Sequence, residues 1–295
     1  MSPSSLHPRA RRSLSAFVVV AFLAVIAALG LQTAVASKDA PAVPAPPTQP
    51  TRADQIQNID QVKTAIKAYY GDTVDGTTPF GTPNHVPSAN GAYAHEMAGL
   101  AKKASAYLAH PRHGKGTHTA PGAKAILLDV DDTSLNTYNY EIYSNFVYDP
   151  TSNGTFVDAA AFPAVPSMAD LATKAQKAGY TVFFLTGRPE AQRPGTERNL
   201  AEKGFPARTD RVFLKNDAGQ AWITCDTAYT QYDTADDRTK PPACSTVERK
   251  SQTRRHIERD LGYDIAANFG DQFSDLQGGF ADSTFKLPNP NYFLP

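Results

Sequence analysis

Apolar residues recur at two different spacings along the chain, and the change of spacing separates its parts. In residues 54–70 and 93–108 they return every three or four positions, a period typical of helices with one buried face. This spacing predicts a helix over 54–70 and a second one between Tyr93 and Leu108. The stretches 71–92 and 110–122 are rich in loop-forming residues such as Gly and Pro and are predicted to be loops.

From residue 125 onward, short continuous apolar runs alternate with segments of helical spacing. The runs and segments predict strands at 125–128, 182–185, 211–214 and 265–269, and helices at 167–178, 190–203 and 246–261. Ser167 with Asp170 predicts a capping box at the first of these helices, and Gly179 and Gly262 predict helix ends. Continuous apolar strands are typical of a parallel sheet, so the pattern predicts an α/β fold with helices on both faces of one sheet.

The N-terminal region has the features of an export signal. Three arginines precede an uncharged apolar run over 14–31, which ends at the small residues Ala34-Val-Ala36. This order predicts a signal peptide over 1–36, cleaved after Ala36, by the general or the twin-arginine route. The run is also about long enough to span a bilayer, so a retained anchor stays an alternative. The Pro- and Ala-rich residues 37–53 predict a linker, which leaves 54–295 as the folded domain.

Charge and cysteine content exclude several classes of protein. The chain carries 29 basic and 29 acidic residues, and a nucleic-acid protein that works through bulk charge is therefore not expected. No second apolar run of membrane length follows the first, so no stable membrane insertion is expected after cleavage. The two cysteines exclude a zinc site built from four of them. In an exported protein, Cys225 and Cys244 predict a disulfide, with two free thiols as the alternative.

Polar residues follow the ends of three predicted strands. Asp129-Val-Asp131-Asp-Thr133 follows the first, Thr186-Gly187-Arg188 follows the second, and Gly270-Asp271 leads to Asp275 after the last. Lys250 lies in the helix before the last strand. Because ligands of parallel sheets bind beyond the carboxyl ends of the strands, we expect these groups at one site.

These residue types suit phosphoryl transfer. One of the paired carboxylates, Asp129 or Asp131, can attack phosphorus and form an aspartyl-phosphate, while the other protonates the leaving oxygen and later deprotonates water. A phosphate repels carboxylates, so a cation is required. The hard oxygen ligands of Asp129, Asp271 and Asp275 suit Mg²⁺. Donors to the remaining phosphate oxygens are Thr186, Lys250 and backbone amides.

In this order, the four segments resemble the motifs of the haloacid dehalogenase (HAD) superfamily. The finer similarity is to its secreted acid phosphatases (class B, subfamily IIIB), a branch that includes plant acid phosphatases and vegetative storage proteins. The segments that carry it are 183–189, 250–254 and 262–276, within a resemblance over about 95–287. It implies a HAD-like Rossmannoid sheet, a helical N-terminal extension, a small cap near 134–166, and Mg²⁺-dependent hydrolysis of a small phosphorylated substrate.

The resemblance also implies a role for each matching residue. Asp129 is the nucleophile and Asp131 the general acid and base, a residue that dehalogenating members lack. The implied substrate-binding residues are Thr186, Gly187, Arg188 and Lys250. The implied metal ligands are Asp129, the backbone carbonyl of Asp131, Asp271 and, through water or as an indirect ligand, Asp275.

Several alternatives stay open at this point. Lys215 also follows a strand and is a rival for the role of Lys250. Arg188 can be a structural residue at a helix start, and Asp275 can cap the next segment. A solvated loop rather than a metal site is expected to contain His110, His113 and His118. The aromatic residues of 138–148 can pack within the cap or contact the substrate.

Alternative functions also stay open. One is a nucleotidase or phosphotransferase of the same fold, and the other is a non-catalytic storage or binding protein. The vegetative storage proteins can lose the nucleophile, but this chain retains it as Asp129. No feature of the sequence indicates an oligomeric state.

Overall fold

The computed structural model describes residues 40–45, 49–111, 123–216, 219–224 and 244–294. Its first elements are α1 (Ile59–Tyr70), β1 (Thr73–Thr77), β2 (Pro83–Val86) and α2 (Ala92–Ala109). The second helix confirms its prediction, but the first begins later than predicted. Its start is fixed by Asn58, whose side chain accepts hydrogen bonds from the backbone N–H groups of Asp60 and Gln61.

The stretch 71–92 is not the loop that its composition predicts. It contains an antiparallel hairpin of β1 and β2, closed by a turn in which the Thr78 N–H donates to the Thr82 carbonyl at 2.8 Å. Every residue of β1 is exposed, so backbone hydrogen bonds rather than apolar burial hold the pair. A strand of this kind carries no hydrophobic periodicity, and the sequence pattern therefore missed it.

Five parallel strands form the main sheet, in the order β5-β4-β3-β6-β7. Their bounds are β3 (Ala123–Leu128), β4 (Thr181–Pro189), β5 (Val212–Lys215), β6 (Tyr263–Gly270) and β7 (Ser283–Lys286). The central strand β3 aligns Leu128 with Phe184 of β4 and with Phe269 of β6. This register brings the ends of three strands to one edge of the sheet, and the residues that follow them are the predicted site.

The remaining helices of the described chain are α3 (Tyr138–Tyr143), α4 (Pro150–Asp158), α5 (Met168–Lys177), α6 (Arg193–Glu202), α7 (Thr246–Arg259) and α8 (Phe273–Leu276). The predicted capping box at Ser167 is wrong. Ser167 has φ +67° and its side chain makes no capping hydrogen bond. Gly179 and Gly262 do follow helices, with φ +90° and +75°, a conformation that glycine adopts without strain.

Both faces of the sheet are buried. On β3, Ile126 and Leu128 pack in one apolar cluster with residues of α2 and α5. The alternating residues Ala125 and Leu127 pack in a separate cluster with Ile257 of α7. Successive strand residues point to opposite faces, so the two clusters lie on opposite sides of the sheet. The predicted α/β architecture is confirmed.

The predicted domain boundaries stay predictions. Residues 1–36 and the linker residues 37–39 and 46–48 lie outside the described residues, as do His113, His118 and Cys225. Within the linker, the Pro41 carbonyl accepts a hydrogen bond from the Gln277 side chain at 2.7 Å. The predicted cap segment 134–166 contains α3 and α4. Across the described ranges, no helix has the length and apolarity that crossing a membrane requires.

Candidate active site

A buried cation and two carboxylates form the centre of the site. Asp129 follows β3, Asp275 lies on α8, and Lys250 reaches between them from α7. The Lys250 Nζ atom lies 2.6 Å from Asp275 Oδ1 and also donates to Asp129 Oδ1. All three residues are at most 5% exposed. Burial alone would lower the pKa of Lys250, but the two carboxylates raise it, so the amine stays charged.

Asp271 completes an acidic cluster, the name used below for Asp129, Asp271 and Asp275. Burial, and then the charge of Asp275, raise the pKa of Asp271 to about 8. Burial also raises the pKa of Asp129, with Lys250 opposing the effect. One oxygen from each carboxylate lies within 4.8 Å of the others. Crowded, buried carboxylates that raise each other's pKa are stabilised by a cation, and this all-oxygen set fits a hard divalent ion.

Asp131 points away from this cluster and pairs with Arg188. The Arg188 Nη2 atom lies 2.6 Å from Asp131 Oδ1, and Nε lies 3.1 Å from Oδ2. Arg188 is itself held by Thr196 Oγ1 at 3.0 Å and stacks over the Phe162 ring at 5.2 Å. The Asp131 side chain remains 30% exposed. It is therefore fixed in orientation while open to the adjoining cavity.

The cavity beside these residues has a volume of about 430 Å³. It is lined by the acidic cluster, Asp131, all three residues of 186–188 and Lys250. Opposite walls come from the predicted cap, with Phe146 and Tyr148, and from the end of β5, with Leu214 and Lys215. A cavity of this size, with apolar walls and a few polar groups, is typical of small-molecule sites.

The comparisons with known proteins agree with this geometry. The sequence model of the HAD superfamily, subfamily IIIB (acid phosphatase), matches residues 73–295. The chain belongs to this family.

Named relatives of this HAD subfamily IIIB chain are plant proteins. Acid phosphatase 1 of Solanum lycopersicum is 30% identical over 177 residues, which cover 59% of this chain and 60% of the relative. Stem 28 kDa glycoprotein of Glycine max is 27% identical over 184 residues, with coverages of 62% and 61%. Vegetative storage protein 2 of Arabidopsis thaliana is 24% identical over 173 residues, with coverages of 57% and 56%. The match spans about three fifths of each relative's length.

A solved structure is also similar to this HAD subfamily IIIB chain. The class C acid phosphatase from Bacillus anthracis is 20% identical, with a TM-score of 0.46, and the similarity covers 67% of this chain and 80% of that one.

The structure brings together most of the residues predicted for this HAD site. Lys250, rather than its rival Lys215, contacts Asp129. Thr186 is buried, and its hydroxyl accepts from the Arg188 N–H at 3.1 Å. Gly187 is exposed at the cavity. Asp275 does cap its own helix, through the Gln272 N–H at 2.9 Å, and does so while it contacts Lys250. One carboxylate therefore both caps the helix and contacts Lys250, and its role as a metal ligand stays a prediction.

Sequence reasoning missed several residues that hold the site. Arg254 is fully buried, and its guanidinium donates to the carbonyls of Asp275 at 2.6 Å and Gly279 at 2.7 Å. Asn289 donates to Asp271 at 2.7 Å from beyond β7. Arg254 was visible as part of a matched segment, but its backbone partners depend on the loop after α8. No local pattern marks Asn289.

Asp132 and Glu141 are two further buried acids that the prediction omitted. Asp132 has φ +51° and accepts from the Thr137 N–H at 3.0 Å, which shapes the chain leaving β3. Glu141 lines the cavity and is 7% exposed. Burial, followed by the charges of Asp132 and Asp131, raises the pKa of Glu141 to about 8. A carboxyl group of this kind is neutral over most of the acid range.

Proposed function

We propose that the protein is an exported, Mg²⁺-dependent phosphatase that hydrolyses phosphate monoesters through an aspartyl-phosphate on Asp129. The observation that carries the proposal is the position of Asp129, which lines the cavity beside a charged Lys250 and within the acidic cluster. A carboxylate nucleophile needs nearby positive charge to remain ionised and to accept a phosphate group.

The first step is attack on phosphorus. An Asp129 oxygen forms the new P–O bond while the bond to the leaving oxygen breaks. Asp131, in its acid form, gives its proton to that oxygen, and an alcohol leaves. Lys250 and backbone amides donate to the phosphate oxygens as their charge redistributes.

The second step regenerates the enzyme. Asp131, now a carboxylate, takes a proton from water as the water oxygen attacks phosphorus. The bond to Asp129 breaks, and inorganic phosphate is released. Arg188 supports this cycle because its hydrogen bonds hold Asp131 beside the cavity.

The acidic cluster is the proposed Mg²⁺ site, with the Asp131 backbone carbonyl as a further ligand. When bound, Mg²⁺ neutralises phosphate oxygens and holds the group in line for attack. The support is the set of three buried carboxylates with converging oxygens. Asn289 and Gln272 orient Asp271 by donating to its Oδ2 atom at 2.7 and 2.6 Å.

The test is phosphate release from an aryl phosphate, measured with and without Mg²⁺. Wild-type protein should lose activity in EDTA and regain it with Mg²⁺. Asp129→Asn should lower kcat by at least about a thousandfold, because the amide is a poor nucleophile. Asp170→Asn, which changes an exposed aspartate of α5, is the matched control and should retain full activity. Unchanged turnover in Asp129→Asn would exclude the aspartyl-phosphate.

The similarity to a vegetative storage protein favours one second candidate, a non-catalytic storage or binding protein. The retained Asp129, Asp131, Lys250 and Asp271 support catalysis instead. Absence of Mg²⁺-dependent release across a broad phosphomonoester panel would favour the storage protein. Transfer of phosphate to an added alcohol would indicate the phosphotransferase variant of the proposed chemistry.

The export part of the proposal is supported by the sequence over 1–36. A disulfide between Cys225 and Cys244 would accord with an exported protein. Cys244 is 3% exposed and lines the cavity wall, and Cys225 lies outside the described residues. The pairing stays a prediction.

A further inference from the structure

One face of α7 lines the cavity and carries two cations. Thr246, Arg249, Lys250 and Thr253 all line it. Their spacing of three, four and seven residues places them on one stripe of the helix. Lys250 is buried against the acidic cluster. Arg249 is its neighbour in sequence, but the two side chains leave the helix about 100° apart.

The Arg249 guanidinium is unpaired within the described ranges. Among the described residues, it makes no side-chain hydrogen bond and no ion pair within 4.0 Å, although its backbone takes part in the helix. Arg249 is partly buried. Other arginines near the site are fully engaged, since Arg188 holds Asp131 and Arg254 holds backbone carbonyls. Arg249 therefore lines the cavity as a charge that no other residue in the described ranges pairs with.

The carboxylates of the cavity do not fill this role. Asp129 and Asp275 contact Lys250, Asp271 is held by Gln272 and Asn289, and Asp131 is paired with Arg188. Glu141 also lines the cavity, but its carboxyl group forms no ion pair with Arg249 within 4.0 Å. A partly desolvated guanidinium gains most from an anion that it can meet with two parallel N–H donors. Carboxylates and phosphates both offer this geometry. Within the part of the chain that the structure describes, no other anion is placed to do so, and the source that we infer is the bound molecule.

We propose that Arg249 forms a second anion subsite in the cavity, which selects phosphate monoesters whose organic group carries a further oxyanion. This inference rests on the proposed phosphatase function and names its substrate class. Lys215 lines the same cavity from the end of β5. Phe146 and Tyr148 of the predicted cap supply an apolar wall for the organic group between the two anions.

The test compares matched aryl esters. 4-Carboxyphenyl phosphate and 1,4-phenylene bisphosphate carry a second anion, whereas 4-carbamoylphenyl phosphate has nearly the same shape and no second charge. The preference is the kcat/KM of each anionic ester divided by that of the carbamoyl ester. Arg249→Met should lower this preference by about tenfold, as expected for one lost charge-assisted hydrogen bond. Arg249→Lys should restore part of it. The two anionic esters distinguish a carboxylate from a phosphate as the favoured group.

Arg255→Met is the matched control, because Arg255 is exposed on the same helix and does not line the cavity. It removes the same charge and should leave the preference unchanged. Melting temperatures of all variants show that they are folded. An equal loss on all three esters would place Arg249 at the transferred phosphate and overturn the subsite. An unchanged preference in Arg249→Met would do so as well.

Calorimetry separates a failure of the subsite from a failure of the proposed function. In the Asp129→Asn background, 4-carboxyphenyl phosphate should bind about tenfold more weakly when Arg249→Met is added, and 4-carbamoylphenyl phosphate should bind much as before. This measurement needs no turnover. If no ester is hydrolysed, the phosphatase proposal fails, while the binding difference still decides whether the subsite exists.

Discussion

Arg188 and Asp131 form a pair whose members lie 57 residues apart in the chain. Arg188 also contacts Thr196 and the Phe162 ring, so its guanidinium has one favoured position. The fixed arginine in turn restricts Asp131, which is open to solvent on its cavity side. A group that transfers a proton to a substrate works best when its position is set before the substrate arrives.

We expect Arg188→Met to act on the chemical step. The variant should lower kcat on an aryl phosphate by up to about a hundredfold, since Asp131 is no longer held, and should change KM much less. Arg208→Met, which alters an exposed arginine paired with Asp210, is the control. A large rise in KM at constant kcat would instead make Arg188 a substrate-binding residue.

Single residues were predictable from sequence where chemistry and strand ends coincide. Asp129 and Asp271 belong to this group, because strand exits in a parallel sheet share one edge. Lys250 lies on a helix and was expected at the site from the family resemblance. The partner of Arg188 was not predictable, because its position was compatible both with a structural role at a helix start and with a substrate contact. Glu141 and Asn289 carried no signal at all, since burial and contacts across the fold define their roles.

At the scale of elements, the turn from β6 to α8 is tightly packed against the site. A Cβ atom at Gly270 would lie 2.3 Å from the Cβ atom of Asp275. The turn brings Asp271 and Asp275 to the same cavity only because residue 270 has no side chain. Glycine is required at position 270 because Asp275 lies so close, and not because the backbone there has a positive φ.

Gly270→Ala should therefore displace Asp275. We expect a loss of stability of about 1–3 kcal/mol from overpacking, together with weaker Mg²⁺ activation as the acidic cluster opens. Thermal unfolding and a Mg²⁺ titration of phosphate release measure the two effects. Gly99→Ala is the control, because its Cβ atom would meet nothing within 4 Å on α2. Wild-type stability and Mg²⁺ dependence in Gly270→Ala would contradict the packing argument.

Elements with strong periodicity or continuous apolar runs were predictable, and others were not. The spacing of apolar residues indicated which positions are buried, and it therefore predicted the strands β3 to β6 and the helices α2, α5 and α7. The hairpin of β1 and β2 was missed because backbone hydrogen bonds hold it. The edge strand β7 was missed because its four residues are all only partly buried.

At the scale of the whole molecule, buried acids make stability depend on pH. Burial raises the pKa of Glu258 and of Glu141 to about 8, against a usual value near 4.5. The folded state therefore binds these protons more tightly than the unfolded state. Their contribution to stability is fully present below about pH 4.5 and is lost as pH rises through about 8.

Glu258→Gln tests this dependence at a position away from the proposed metal ligands. The free energy of unfolding of the variant, minus that of the wild type, should rise by at least about 1 kcal/mol between pH 5 and pH 9. Denaturant unfolding at several pH values measures the difference. Glu202→Gln, at an exposed glutamate of α6, should give a constant difference. The same constancy in Glu258→Gln would show that Glu258 is ionised in the folded protein.

The α/β class of the molecule followed from its alternating pattern, and the family from four ordered motifs. The pH dependence could not be predicted in this way. Formal charge counts every carboxyl as ionised, whereas burial keeps some of them neutral, and burial is a property of the assembled fold.

Two residues of α7 hold Asp275, one through its side chain and one through its backbone. Lys250 contacts the carboxylate, and Arg254, one helical turn further on, contacts the backbone carbonyl of the same residue at 2.6 Å. Small displacements of α7 relative to the sheet would thus carry the cation and this acid together and preserve their spacing. The contact between Lys250 and Asp129, which follows β3, would change in length instead. Small motions of the fold would in this way alter the side of the cavity where the proposed nucleophile lies.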